Sequence, residues 1–267
     1  SQALFQYLEC SFVPAPLSIY EKIYKLCPGA LLEIDSRLPL DPLTVLKTET
    51  VKHQSLSINK WWRHDQVIQQ NEHISKKEAE SLIHSKLKNS VSSQLISDVP
   101  LGCLLSGGID STLIASIMQS ESAKPINTFT IGFENKDFDE SSIARQSARL
   151  LGTNHHEIIS SPEDAIKIAQ KMPEVFDEPF ADSSQIPTFM VSELASSYVT
   201  VALSGDGGDE IFGGYNRYIW GPRIFKALNS TPPALRNMML NFVEKFPQYS
   251  WEKLLSFMPV KRPHEKV

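Results

Sequence analysis

The stretch Leu104-Leu105-Ser106-Gly107-Gly108-Ile109-Asp110-Ser111 decides how the rest of the chain is read. It joins a short apolar run, Leu101 to Leu105, to a segment of helical composition, Thr112 to Met118. Glycines at such a junction permit tight, left-handed backbone and let an anion come close. The helix start adds free N–H groups and about half a positive charge. Ser106 and Ser111 add hydroxyls. By its chemistry this loop is a phosphate cradle. It lacks the lysine-bearing ending of a Walker A loop and the third glycine of a dinucleotide fingerprint. A tight turn without a ligand is the alternative that Gly107-Gly108 alone leaves open.

Outward from this loop the pattern repeats. Ile126 to Phe133 alternates and is rich in β-formers. Residues 140–151 set Ile143, Ala144, Ala148 and Leu151 on one helical face, with Gly152 as the stop. A strand over His156 to Ile159, helices over 163–171 and 185–197, and a β-branched run from Tyr198 to Leu203 follow. Strand, loop and helix recur about three times, which predicts an α/β fold: a parallel sheet with crossover helices. Upstream, Ser75-x-x-Glu78 is a capping box opening a helix through Ala79, Leu82, Ile83, Leu87, Val91 and Leu95, which should stop near Asp98 because Pro100 disfavours a helical residue before it. Residues 1–40 read as loop-rich, with one strand at Ala30–Ile34. Residues 41–72 read as a linker, and 222–267 as amphipathic helix around Pro232-Pro233.

A second loop, Ser204-Gly205-Asp206-Gly207-Gly208-Asp209-Glu210, also follows a predicted strand. Its carboxylates would repel a phosphate unless a divalent cation lies between. Mg²⁺ prefers one or two carboxylates plus phosphate oxygens and waters, so Asp110 and Asp209 form the predicted metal pair. A solvated acidic turn is the alternative for this loop by itself. Two such loops at the C-terminal ends of parallel strands fit the crevice where open α/β sheets bind ligands.

Composition excludes several classes. The 267 residues correspond to somewhat under two domains at about 150 residues each. Hydrophobic residues are 41% and charged residues 21%, ordinary for a globular chain. The net charge of −5 argues against general nucleic-acid binding. Val99 to Met118 holds Asp110, three glycines and Ser106, so no membrane span is predicted. Cys10, Cys27 and Cys103 are odd in number, far apart, and read as small buried hydrophobes in a reducing cytoplasm.

Together, Leu104 to Ser111 and Ala202 to Tyr215 resemble the glutamine-dependent asparagine synthetases and related amidotransferases. The first motif resembles the wider PP-loop ATP pyrophosphatases; the second is specific to the asparagine synthetase branch. Gly132-Phe133, Asp139 to His156 and Tyr7 to Ile34 share the resemblance. It implies a glutaminase tail at 1–40, a linker at 41–74, and a PP-loop synthetase domain at 75–267. It further implies that Mg-ATP converts aspartate, or another carboxylate, to an acyl-adenylate. Ammonia from a glutaminase domain then displaces AMP. Ser106, Gly107, Gly108, Asp110 and Ser111 would hold pyrophosphate, with Mg²⁺ on Asp110 and Asp209. Leu105, Ile131, Ser204 and Gly205 would line the adenosine and α-phosphate side, and Asp206 would face the reacting carboxyl. Asp206 replaces a Glu of some members, which leaves a different acceptor, such as a polysaccharide unit, open. The family's N-terminal cysteine nucleophile is not at Ser1, and its downstream lysine matches none of Lys253, Lys261 or Lys266. The expectation is a piece of a longer protein, a homodimer being among the assemblies the resemblance allows, with an inactive nucleotide-binding fragment as the rival.

Other residues receive plainer readings. His155-His156 is a polar strand-edge pair rather than a metal site. Glu178 to Asp182 and Gln185 are either substrate-side contacts or a capped loop. Trp61-Trp62 is packing, Tyr215, Arg217 and Tyr218 shape the second loop, and Lys76-Lys77-Glu78 is a solvated first turn.

Overall fold

A computed structural model describes residues 1–34, 51–53, 56–63, 65–66, 74–136, 139–233 and 235–238. The chain divides into two compact units. Ser1–Lys86 and Glu163–Phe189 form one, and the stretches from Leu87 to Pro162 and from Met190 onward form the other.

The first unit contains α1 (Gln2–Cys10), β1 (Ala30–Ile34), β2 (Val51–His53) and β3 (Leu56–Lys60). The strands make an antiparallel sheet in the order β1-β3-β2, with Ala30 opposite Lys60 and Ile34 opposite Leu56. β1 agrees with the sequence reading; α1, β2 and β3 do not. Helix α1 forms because residues 2–10 lack Gly and Pro and because Ser1 caps it, its Oγ accepting from Leu4 N at 3.3 Å. The alternation Leu56-Ser57-Ile58-Asn59-Lys60 is genuine strand patterning, too short to stand out inside a polar segment. The amphipathic reading of 239–267, and much of 41–72, falls outside the described residues.

Helix α2 (Lys76–Gln94) begins at the predicted box, Ser75 Oγ accepting from Glu78 N at 3.3 Å. The second unit then runs β4 (Leu101–Leu104), α3 (Ile109–Glu121), β5 (Asn127–Phe133), α4 (Ser141–Leu151) and β6 (Asn154–Ser160). The chain then forms α5 (Pro162–Val175), which from Glu163 belongs to the first unit, and α6 (Gln185–Ser196), which belongs to the second from Met190; β7 (Val201–Leu203), the short α7 (Gly208–Phe212) and α8 (Asn216–Asn229) follow in the second unit. Gly152 ends α4 in the left-handed region at φ 73°, as its position predicts.

All four strands of the second sheet are parallel, in the order β6-β5-β4-β7. The chain steps outward from β4 to β5 and β6, then returns to β7 on the other side of β4. The strand order therefore reverses between β4 and β7, the position where open α/β sheets form their ligand crevice. Successive residues of a strand point to opposite faces. Cys103 and Leu105 join a core cluster with Ala115, Met118, Ala144 and Ala148, while Leu104 packs with Phe129, Ala195 and Val199. Helices thus cover both faces, which is why the strands read as near-continuous apolar runs. Gly102 completes the fit: a Cβ there would stand 2.5 Å from Phe129 Cε2. Among the described residues no helix is long and apolar enough to cross a membrane.

Candidate functional site

The loop after β4 is built by its own serines and glycines. Leu105 is 1% exposed and anchors the loop in the core. Its N donates to Phe129 O at 2.9 Å and its carbonyl accepts from the Thr130 hydroxyl. Ser111, also buried, accepts from Ser106 N at 3.2 Å and donates to Gly108 O at 3.3 Å, and the two serine hydroxyls lie 3.0 Å apart. Gly107 turns the chain at φ 85°, and a Cβ there would stand 2.8 Å from Ala144 N of α4. The first bond inside α3 runs from Thr112 N to Gly108 O at 3.1 Å. The amides before it have no partner within the helix, and they carry the positive end of its dipole.

The loop after β7 comes up against this one. Ser204 Oγ donates to Asp206 Oδ2 at 3.0 Å, and Gly207 turns the chain at φ 89°. A Cβ on Gly205 would stand 2.6 Å from Ser111 N and 2.8 Å from Asp110 C. A Cβ on Gly208 would stand 2.5 Å from Asp110 Cγ and 2.7 Å from its Oδ2. The absence of side chains at 205 and 208 is what lets the two loops meet, with the Asp110 carboxylate seated on Gly208. Asp209 is the next residue, and its own carboxylate lies against Gly214, whose N donates to Asp209 O at 3.0 Å. Asp206 is exposed.

Of the predicted residues, Ser106, Gly107, Gly108, Asp110, Ser111 and Gly205 are brought together directly, with Asp209 adjoining through Gly208. Ile131 is half-buried near the end of β5, hydrogen-bonded neighbour of β4. Among the described residues there is no group of three or more His, Cys, Asp and Glu side chains that could hold a metal. Two carboxylates are the usual protein contribution to a Mg²⁺ whose other ligands are phosphate and water, so the donor set fits that ion bound with a nucleotide.

Tyr215, Arg217 and Tyr218 do shape the second loop. Tyr215 Oη donates to Glu210 Oε1 at 2.8 Å, and the Arg217 guanidinium sits 4.1 Å from the Tyr215 ring centre. The bond to Glu210, then burial and the acidic neighbours, raise the Tyr215 hydroxyl above its ordinary pKa, against the pull of Arg217.

Asp139 carried no assigned role in the sequence. Its Oδ1 accepts from Phe133 N at 3.2 Å and from Ser141 N at 3.1 Å. Burial works to raise its pKa, but the Ser141 and Phe133 hydrogen bonds and the Arg145 charge outweigh it and hold the carboxyl low. The available signal was an Asp two residues ahead of a helical Ser, a capping pattern.

The remaining readings divide. His156 Nε2 lies 3.1 Å from Asn127 Oδ1, its ring stacked on Phe129 at 5.2 Å between centroids. His155 Nδ1 lies 3.0 Å from Thr128 Oγ1. Both histidines are therefore polar members of the edge strand β6. In the first unit, Glu178 Oε2 accepts from Lys25 Nζ at 2.5 Å and its Oε1 from Ile19 N at 2.9 Å. Asp182 Oδ1 accepts from Ser184 N at 2.8 Å, and Gln185 Nε2 donates to Asp182 O at the same distance. These contacts make the segment a capped loop. The cysteine reading needs correction: Cys103 is buried, its thiol pushed up to about 12 by desolvation, but Cys10 is exposed and Cys27 half-buried. Cys10 is the last residue of α1, the helix whose buried residue is Ala3.

The chain is similar to known proteins over most of its length. The family model described as asparagine synthase matches residues 82–260. Glutamine-hydrolysing asparagine synthetase 1 of Bacillus subtilis is 34% identical over 247 residues, covering 92% of this chain and 36% of its own length. Putative glutamine-hydrolysing asparagine synthetase 2 of Methanocaldococcus jannaschii is 34% identical over 222 residues, 82% of this chain and 39% of its own. The glutamine-hydrolysing asparagine synthetase of Bos taurus is 31% identical over 163 residues, 57% of this chain and 28% of its own. The chain thus spans roughly a third of the length of the curated relatives it matches.

Proposed function

The chain belongs to the asparagine synthase family, and we propose that residues 75–267 are the ATP-pyrophosphatase part of a glutamine-hydrolysing asparagine synthetase. Residues 1–40 are then the end of a glutaminase domain and 41–74 the connection. The aspartate side-chain carboxylate attacks the α-phosphorus of ATP, giving an acyl-adenylate and releasing pyrophosphate. Ammonia from glutamine hydrolysis then attacks the acyl carbon, and AMP leaves with the C–O bond electrons.

The loop chemistry supports this assignment of roles. Ser106, Gly107, Gly108 and Ser111 offer hydroxyls and helix-start amides to the leaving pyrophosphate. Leu105, Ile131, Ser204 and Gly205 border the adenosine and α-phosphate side. Asp206, exposed at the crevice, faces the acceptor carboxyl. Asp110 and Asp209 would hold Mg²⁺, which would supply charge neutralisation for the departing phosphates. Positioning and charge stabilisation supply most of the rate in such chemistry.

The single observation that carries the proposal is the seating of the Asp110 carboxylate on Gly208. It puts the acid of the phosphate cradle beside the acidic loop. The test is aspartate-dependent exchange of pyrophosphate into ATP by the full-length protein. Asp110→Asn and Asp209→Asn should each lower Mg-dependent exchange by about 10²-fold or more. Wild-type rates in either variant would remove the two-loop site. Exchange indifferent to aspartate but driven by another carboxylic acid would reassign the acceptor.

A further inference from the structure

We propose that Asp139 is a positioning residue for this reaction: it fixes the start of α4 against Gly107 and so sets the pyrophosphate cradle. The inference rests on the ATP-pyrophosphatase reading above.

Three contacts make the chain of support. The first is at the end of β5. Gly132 is buried there, and a Cβ on it would stand 2.9 Å from both Asp139 Oδ1 and Ser141 Cβ. The missing side chain admits the carboxylate against the strand, where one oxygen collects the amides of Phe133 and Ser141. The second contact is the helix start. Glu140, at the N-cap position of α4, makes no capping bond through its side chain. Asp139 supplies the acceptor instead, and its negative charge suits the positive end of α4. The third contact is one turn on. A Cβ on Gly107 would stand 3.1 Å from both Cβ and Cγ2 of Ile143, besides its clash with Ala144 N.

The first turn of α4 is therefore one wall of the cradle, packed with no slack, and Asp139 holds its beginning. A second peg holds the following turn from the next strand. Arg145 grips Glu157 of β6 through Nε at 3.0 Å and Nη2 at 2.6 Å. With α4 tied to β5 and β6, a shift at Ser141 passes to Ile143 and Ala144 and from them to Gly107. The nucleoside side of the crevice, at Ser204 and Gly205, contacts none of these groups through the bonds described.

Asp139→Asn keeps the shape and an acceptor oxygen but loses the charge that roughly doubles such a bond. In the full-length protein it should raise the inhibition constant of pyrophosphate about tenfold and lower kcat to a similar degree. The KM for aspartate should change less than about twofold, a split that general loss of folded protein does not produce. Ile143→Ala, which trims the wall at a half-exposed position, should interact with Asp139→Asn non-additively in a double-mutant cycle. Unchanged pyrophosphate inhibition in Asp139→Asn, or strict additivity in the cycle, overturns the positioning role while leaving the proposed function standing. A wild-type protein that shows no aspartate-dependent exchange overturns both.

Discussion

Two glycines of the second loop make opposite demands on the first, and alanine at each should separate fold from function. At Gly205 the crowded atoms are backbone: Ser111 N at 2.6 Å and Asp110 C at 2.8 Å from the new Cβ. Ordinary contact begins near 3.4 Å, so the loops must part by about 0.8 Å. The first turn of α3 is locked by its bond from Thr112 N to Gly108 O and by the buried Ser111 network, so the strain cannot dissipate locally. Overpacking of this kind costs about 1–3 kcal/mol. A displacement approaching 1 Å at a reacting centre costs up to about 10²-fold in rate. Gly205→Ala should therefore lose both stability and exchange activity.

At Gly208 the crowded atoms all belong to the Asp110 carboxylate, which can rotate away. Neither glycine has a positive φ, so alanine is tolerated by the backbone at both. Gly208 opens α7, where alanine gains up to about 1 kcal/mol of helix propensity. Gly208→Ala should keep or slightly raise the thermal midpoint while its Mg²⁺ dependence weakens by about tenfold or more. The assay pairs thermal unfolding with exchange measured across a Mg²⁺ titration. Gly208→Ala with the wild-type Mg²⁺ dependence would refute the placement of Asp110 at the metal. Gly205→Ala with wild-type stability and rate would refute the close approach of the loops.

Two further outcomes concern charge. Glu178→Gln should cut hydrogen-exchange protection of the Ile19 amide about fivefold, since a charged hydrogen bond contributes about 1.5–3 kcal/mol. The effect is reduced because Lys25 is 37% exposed. Burial opposes ionisation of Glu178, but the bonds from Lys25 and Ile19 outweigh it and depress the carboxyl. This contribution is thus present above about pH 4.3 and is lost as pH falls through the folded value; protection of Ile19 indifferent to the variant would count against the clamp. His155 is lowered first by burial and further by Arg145 and His156, against an upward pull from Glu157. The unfolded chain therefore takes up the proton first, and stability is lost as pH falls below about 6.5. His155→Asn should flatten the stability profile between about pH 7 and about pH 5, and an identical slope in both proteins would contradict the assignment.

The legible parts of the chain were those where one physical demand dominates. β4 must be apolar on both faces, and a sharp exit from it needs glycine, so Leu101 to Ser111 announces strand, turn and helix together. The second acidic loop stands out because three glycines among three carboxylates after a strand bury no apolar side chain of their own. The illegible parts depend on neighbours distant in sequence. β3 alternates over too short a run to stand out, and it is fixed as a strand by pairing with the distant β1, Ile34 opposite Leu56 and Ala30 opposite Lys60. Cys10 and Cys103 have the same side chain, and only the cover each receives tells them apart. Asp139 looks like one more acid of a polar loop until the bare backbone of Gly132 lets its carboxylate in.

The two acids proposed for the metal also fix the sign of an experiment. Two unit charges 4 Å apart repel by about 1 kcal/mol in water and about 4 kcal/mol at an effective dielectric of 20. A helix start returns only about 0.3–1 kcal/mol to an exposed anion. A polyphosphate entering beside Asp110 and Asp209 without a cation is therefore repelled more than α3 attracts it. With Mg²⁺ between them, the same carboxylates become the attraction. Asp110→Asn should accordingly weaken ATP binding in the presence of Mg²⁺ and strengthen it in the presence of a chelator. Calorimetry of the full-length protein under both conditions reads the two signs directly. A variant that weakens binding equally with and without Mg²⁺ would make Asp110 a structural support of the loop, and the metal pair would have to be sought among other residues.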